Sequence, residues 1–229
     1  MAFDPKNYKV TTAKPLPVVL LLDTSGSMSG EKIDSLYDAT KDMIKTFSEA
    51  NSRELSIEVA IITFGNEVNL HTRYTKVTEL EKTGIIPFIA SGMTPLGTAL
   101  RMAKDMIEDK NETPSKIYRP AVVLVSDGQP NDEWRTPLDN FVNNGRSSKC
   151  QRFAVAIGND VDMAVLEKFT GDVKSIFNAD NANDIEKAFK TISMSVSVRA
   201  KSQSSNSTPI SIIQNFDKSI DNDDDDDDY

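Results

Sequence analysis

The sequence predicts an α/β fold: a doubly wound, mostly parallel six-stranded sheet with helices on both faces and one antiparallel edge strand. Three observations lead there. Apolar runs alternate with helical patterns from about Leu16 to Val198, the order in which strands and crossover helices of a parallel sheet follow one another. Two of the runs, Leu16–Leu22 and Ala121–Ser126, are apolar almost throughout, as strands buried on both faces are. Two further strand-like runs are separated only by Gly65-Asn66, room enough for a hairpin and too little for a parallel crossover.

Leu16–Leu22 reads as a central strand, followed by a loop over Asp23–Gly30. Glu31–Ala50 then places Ile33, Leu36, Tyr37, Met43, Ile44 and Phe47 at helical spacing, an amphipathic helix. Leu55–Phe64 is the second strand, and Glu67–Tyr74, joined to it by the short turn, is the antiparallel edge strand. Helical patterns recur at Thr78–Ile89 and, after Ser91-Gly92-Met93-Thr94-Pro95, at Leu96–Asp109, with Pro95 expected at the first helical position. Ala121–Ser126 is the fourth strand. A helix near Pro137–Asn144, a strand at Arg152–Ile157, a helix at Met163–Phe169, a short strand at Lys174–Phe177 and a helix at Ala182–Val196 complete the pattern.

The 229 residues suffice for one full domain with appendages. We divide them into an extension over 1–14, a domain over 15–199 and a polar, acidic tail over 200–229. The tail carries a serine-rich stretch at 202–208, an apolar island at Ile210–Phe216 and a run of aspartates, and its last eight residues contain too little apolar surface to offset ordering entropy. Those aspartates act either as a solvated terminus or as a binding tail for a basic partner or for the metal position of another copy. The hydroxyls at 202–208 are open to phosphorylation.

Charge and composition exclude several classes of function. Of the formal charge of −9, seven negative charges belong to Asp221 and Asp223–Asp228, so the rest of the chain carries −2 and shows no basic patch suited to nucleic acid. No stretch approaches the roughly 20 apolar residues that span a bilayer, so no membrane partner is expected. The start, Met1-Ala2-Phe3-Asp4-Pro5-Lys6, lacks a secretory pattern, and a cytoplasmic location is expected. A lone Cys150 forms neither an internal disulfide nor a thiolate zinc site, and a lone His71 argues against histidine catalysis.

The residues with chemistry lie at strand ends. In Asp23-Thr24-Ser25-Gly26-Ser27, directly after the first strand, a carboxylate and two hydroxyls alternate, so three oxygen donors can converge on one point. Gly92-Met93-Thr94-Pro95 adds a hydroxyl before a helix, and Val125-Ser126-Asp127-Gly128 adds a carboxylate after the fourth strand. In a doubly wound sheet the carboxyl ends of the strands that flank the reversal of strand order face one crevice. Oxygen donors with few charges suit a hard divalent cation. Plainer readings exist: Ser27 or Ser29 can cap the helix that follows, and Asp127 before Gly128 can be a turn residue. Trp134, beyond Asp127, either packs over the sheet end or anchors a partner. Cys150 reads as a small buried hydrophobe and His71 as a structural residue of the edge strand.

At these residues the chain resembles the von Willebrand factor type A family, whose metal-ion-dependent adhesion site is written D-x-S-x-S, then Thr, then Asp. Asp23, Ser25, Ser27, Thr94 and Asp127 match without a gap, and the resemblance covers roughly residues 15–198. It implies a Rossmann-like sheet and binding without turnover, so the chain is not expected to be an enzyme. It also implies a divalent cation, Mg²⁺ or another such as Mn²⁺ or Ca²⁺, touched by the hydroxyls of Ser25, Ser27 and Thr94. Asp23 and Asp127 would act largely through water or hydrogen bonds, and one position is left for an acidic residue of a protein partner. Gly92-Met93-Thr94-Pro95-Leu96-Gly97-Thr98-Ala99-Leu100 is similar to the bacterial TerY-like, tellurite-resistance-associated branch. That resemblance implies a stress-response or phosphorylation-signalling setting, with a protein kinase and a metal-dependent protein phosphatase as companions. The alternative is an adaptor subunit of an AAA+ ATPase machine. A serine hydrolase would need a base beside Ser25 or Ser27, and only Asp127 is on offer.

Overall fold

A computed structural model of the chain describes residues 13–201. Six strands form a single sheet in the order β3-β2-β1-β4-β5-β6. β1 (Lys14–Asp23) is central and runs parallel to β2 (Leu55–Phe64) on one side and to β4 (Ala121–Ser126) on the other. β5 (Gln151–Ile157) and β6 (Ile176–Ala179) continue in parallel, while β3 (Val68–Lys76) pairs with β2 antiparallel at the edge, as expected.

Period-two alternation along β1 divides the core. Leu16, Val18, Leu20 and Leu22 face α1 (Glu31–Ala50), α2 (Val77–Thr83) and α6 (Ala182–Lys201), whereas Val19 and Leu21 face α3 (Leu96–Glu108), α4 (Arg135–Asn143) and α5 (Met163–Thr170). Helices thus cover both faces. The strand order reverses between β1 and β4, which places Asp23 and Ser126 side by side at the carboxyl end of the sheet.

The structure corrects four local expectations. The helix expected over Thr78–Ile89 stops at Thr83, because Gly84 turns the chain at φ 73°, where a side chain would be strained. The residues after it run without regular structure back past α1, held by a hydrogen bond from Tyr37 Oη to the Ile85 carbonyl (3.0 Å) and by Phe88, which packs edge-on against Tyr37 and His71. Pro95 caps α3 from outside and is not its first residue. The last strand begins at Ile176, two residues later than expected, because the Asp172 carboxylate accepts from the Lys174 N–H and tightens Val173–Ser175 into a 3-10 turn. α6 runs past its expected end at Val196 to Lys201, burying Ile185, Ala188, Phe189, Ile192, Val196 and Ala200 at helical spacing. The other residues of the extension and of the tail lie outside those described, apart from Ala13 and Lys14.

Candidate metal centre

Asp23 ends β1 wholly buried, and its carboxylate is held at both oxygens. Oδ1 accepts the backbone N–H of Ser25 at 2.9 Å, which bends the chain out of the strand, and Oδ2 accepts the hydroxyl of Ser126 at 2.7 Å from the end of β4. A 3-10 turn over Gly26–Met28 follows, anchored by the fully buried Met28. This course stacks Ser25 and Ser27, whose hydroxyl oxygens lie 3.0 Å apart. Ser27 in turn donates to Asp127 Oδ1 at 2.7 Å. Neither Ser27 nor Ser29 caps α1, since its N-cap is Gly30 at φ 81°.

Backbone contacts bring in the second loop. Ser91 N–H donates to the Thr24 carbonyl at 2.8 Å, and Gly26 N–H donates to the Gly92 carbonyl at 3.0 Å. Both loops rest on the Gly65-Asn66 turn. A Cβ on Gly65 would stand 2.4 Å from the Thr24 carbonyl oxygen and 2.7 Å from that of Ser91, and one on Gly92 would stand 2.3 Å from Asn66 Cα. Thr94, buried to 7% exposure, is held from the third loop: its N–H donates to Asn131 Oδ1 (3.1 Å) and its carbonyl accepts from Asn131 N–H (3.1 Å). Its hydroxyl oxygen is 3.9 Å from where a Cβ would sit on Gly128, beside Asp127.

The five residues read from the sequence therefore divide as follows. Ser25, Ser27 and Asp127 are joined directly by side-chain hydrogen bonds, Asp23 is joined through the Ser25 backbone, and Thr94 stands alongside at Gly128. Sequence reading missed Ser126 on Asp23 and the Asn131–Asp132 clamp, in which the Asp132 carboxylate accepts from Gly97 N–H, Thr98 N–H and the Thr98 hydroxyl at the start of α3. It also missed Lys32, whose Nζ is 2.6 Å from Asp127 Oδ2.

Trp134 is half-buried against the α3 side of the core with the Arg135 guanidinium over its ring at 4.6 Å, so it packs over the sheet end. His71 lies on the edge strand, bonded to the Thr72 hydroxyl at 3.0 Å. Cys150 is buried in the core, as expected.

The donor set fits a hard cation. Among the described residues no three His, Cys, Asp or Glu side chains cluster as metal ligands, so an ion at this place has to rely on hydroxyls. In an octahedron with metal–oxygen bonds of about 2.1 Å, neighbouring oxygens are roughly 3.0 Å apart. Ser25 Oγ and Ser27 Oγ already hold that spacing, at 3.0 Å. Burial pushes the Asp23 carboxyl above the usual carboxylate range against its hydrogen bonds from Ser25 and Ser126, and the charge of Asp127 pushes the same way. A cation would relieve that crowding of negative charge. Ser27 is exposed, which leaves one side of the cluster open to solvent.

A family model described as the von Willebrand factor type A domain matches residues 18–191. Among curated proteins, the inter-alpha-trypsin inhibitor heavy chain H4 of Homo sapiens is 28% identical over 171 residues, which is 70% of this chain and 18% of that protein. The chain spans about a fifth of the length of the curated relatives it matches. Solved structures share the fold. Proximal thread matrix protein 1 from the mussel byssus, with a zinc-occupied MIDAS motif, superimposes with a TM-score of 0.64 at 16% identity, over 81% of this chain and 48% of that one. The manganese-loaded TRAP protein of Plasmodium vivax gives 0.56 at 19% identity, over 76% and 72%.

Proposed function

The chain belongs to the von Willebrand factor type A family, and on that premise we propose that it is a metal-dependent protein-binding module, which captures a carboxylate of a partner protein and catalyses nothing. The observation that carries the proposal is the continuous link Ser25–Ser27–Asp127, made by residues from two strand ends. A bound divalent cation would supply an electrophilic centre with an exchangeable position for an incoming carboxylate oxygen.

The chain's own residues do the rest. The hydroxyl oxygens of Ser25, Ser27 and Thr94 are the neutral donors, and Asp127 takes the proton side of the Ser27 hydroxyl, leaving that oxygen's lone pairs directed elsewhere. Asp23 orients the loop through the Ser25 N–H. Because the carboxylates work behind hydroxyls, little negative charge would reach the cation, which keeps its attraction for an acidic group. Magnesium is the cation we assign, for its demand for compact octahedral oxygen geometry. Zinc and manganese belong to the mussel and Plasmodium proteins named above.

A protein partner is favoured by the segment that leads to Thr94, where Ile86, Ile89 and Met93 are 72%, 82% and 64% exposed. Exposed apolar side chains along one segment suit a protein surface. The absence of a helix long and apolar enough to cross a membrane among the described residues is compatible with the cytoplasmic location that forms part of the proposal. The narrower setting, a TerY-like stress system with a kinase and a phosphatase, rests on the Gly92–Leu100 stretch, and the AAA+ adaptor role on resemblance alone. The animal heavy-chain relatives support neither.

Immobilised chain should retain its protein partner in magnesium and release it in chelator, and Thr94→Ala should retain far less. Equal retention in all three conditions would overturn the proposal.

A further inference from the structure

Lys32 plays no part in the D-x-S-x-S pattern, yet it is the residue that meets Asp127 Oδ2, at 2.6 Å, while Ser27 occupies Oδ1. The Asp127 side chain is fully buried and that of Lys32 is 41% exposed, so the ammonium reaches Asp127 from the solvent side. Its position on the chain is unfavourable in itself: Lys32 is the second residue of α1, and the amino end of a helix repels cations. The other charged residues of that turn, Glu31 and Asp34, have the sign expected there.

We propose that Lys32 sets the charge of the metal site, weakening its hold on the bare cation and strengthening the loaded site's hold on a carboxylate, so that cation and acidic partner bind as a pair. The inference rests on the function proposed above and assigns a regulation to that site. Asp23 and Asp127 bring two negative charges, and Lys32 cancels one. A divalent ion then leaves a net charge of +1, where a site without the lysine would be neutral. The two consequences have opposite signs. An ion entering beside a fixed ammonium loses attraction, while an anion approaching the loaded site gains it. A lysine that merely positioned Asp127 would have one sign only, because its loss would loosen the ion and the carboxylate together.

Titrating Mn²⁺ by calorimetry into the wild-type chain, Lys32→Gln and Lys32→Arg, and then acetate into each Mn²⁺-loaded protein, separates these cases. Glutamine keeps a donor for Asp127 and removes the charge; arginine keeps the charge. Lys32→Gln should bind Mn²⁺ about fivefold more tightly and acetate about threefold more weakly, with both differences shrinking in high salt, and Lys32→Arg should match the wild type. Lys32→Met, with the same expected directions, replaces the glutamine variant if that one does not fold. Equal or weaker Mn²⁺ binding by the uncharged variants, or acetate binding that does not fall, would overturn the inference while leaving the metal site intact. Failure of the wild-type chain to bind Mn²⁺ at all would overturn both.

Discussion

Ser126 donates its hydroxyl to Asp23 Oδ2 at 2.7 Å, tying together two strand ends that stand 103 positions apart in the chain. Both residues are buried, so the bond is not exchanged for water. Ser126→Ala leaves a buried carboxylate oxygen without its donor, and chemical denaturation should show a loss of about 1–3 kcal/mol. Cation affinity should also fall, because Asp23 would no longer be fixed. An unchanged stability would show that Asp23 draws nothing from β4.

Gly65 is the support on which two of the loops rest. A methyl group there would overlap the carbonyl oxygens of Thr24 and Ser91. Gly65→Ala should cost about 1–3 kcal/mol and reduce cation binding through a site it does not touch. Wild-type affinity in a stable Gly65→Ala protein would mean that the loops are not held by this contact.

Asp132 receives three hydrogen bonds from the first turn of α3. Removing the carboxylate as Asp132→Ala should destabilise the protein by about 1–2 kcal/mol, with Asp132→Asn losing less. Thermal melts of the two variants measure the difference, and equal melting temperatures for wild type and Asp132→Ala would remove Asp132 from the clamp.

The sheet was legible because its strands are continuous apolar runs, and the loops that carry Asp23, Ser25, Ser27 and Asp127 because they follow such runs directly, whereas Thr94 stands before a helix. α1, β2 and β4 have the bounds expected from the sequence. What stayed hidden depends on contacts between distant segments. Nothing adjacent to Ser126 says that its hydroxyl faces Asp23, and Lys32 looks like an ordinary residue of an amphipathic helix until α1 is placed beside the loop that follows β4. The Thr78–Ile89 helix was misread for a local reason, since its apolar residues keep helical spacing beyond Gly84 while the backbone does not.

Burial pushes the Cys150 thiol up to about 12 from an ordinary value of 9.0. The folded chain at pH 8 should therefore resist alkylation and react only when unfolded. The unfolded thiol loses its proton first as pH rises, so this group's contribution to stability is complete below about pH 9 and is lost between there and about pH 12. Cys150→Ala should flatten that part of the alkaline stability profile. Rapid alkylation of the native protein would contradict the burial.

The central claim, that hydroxyls and carboxylates from three loops form one cation site, is tested most directly by calorimetric titration of Mn²⁺ into the wild-type chain, Asp23→Ala and Asp127→Ala, each shown to be folded. The expected result is binding of one ion by the wild type and a loss of affinity of tenfold or more in each variant. Binding of equal strength in all three proteins, or none by the wild type, would contradict it.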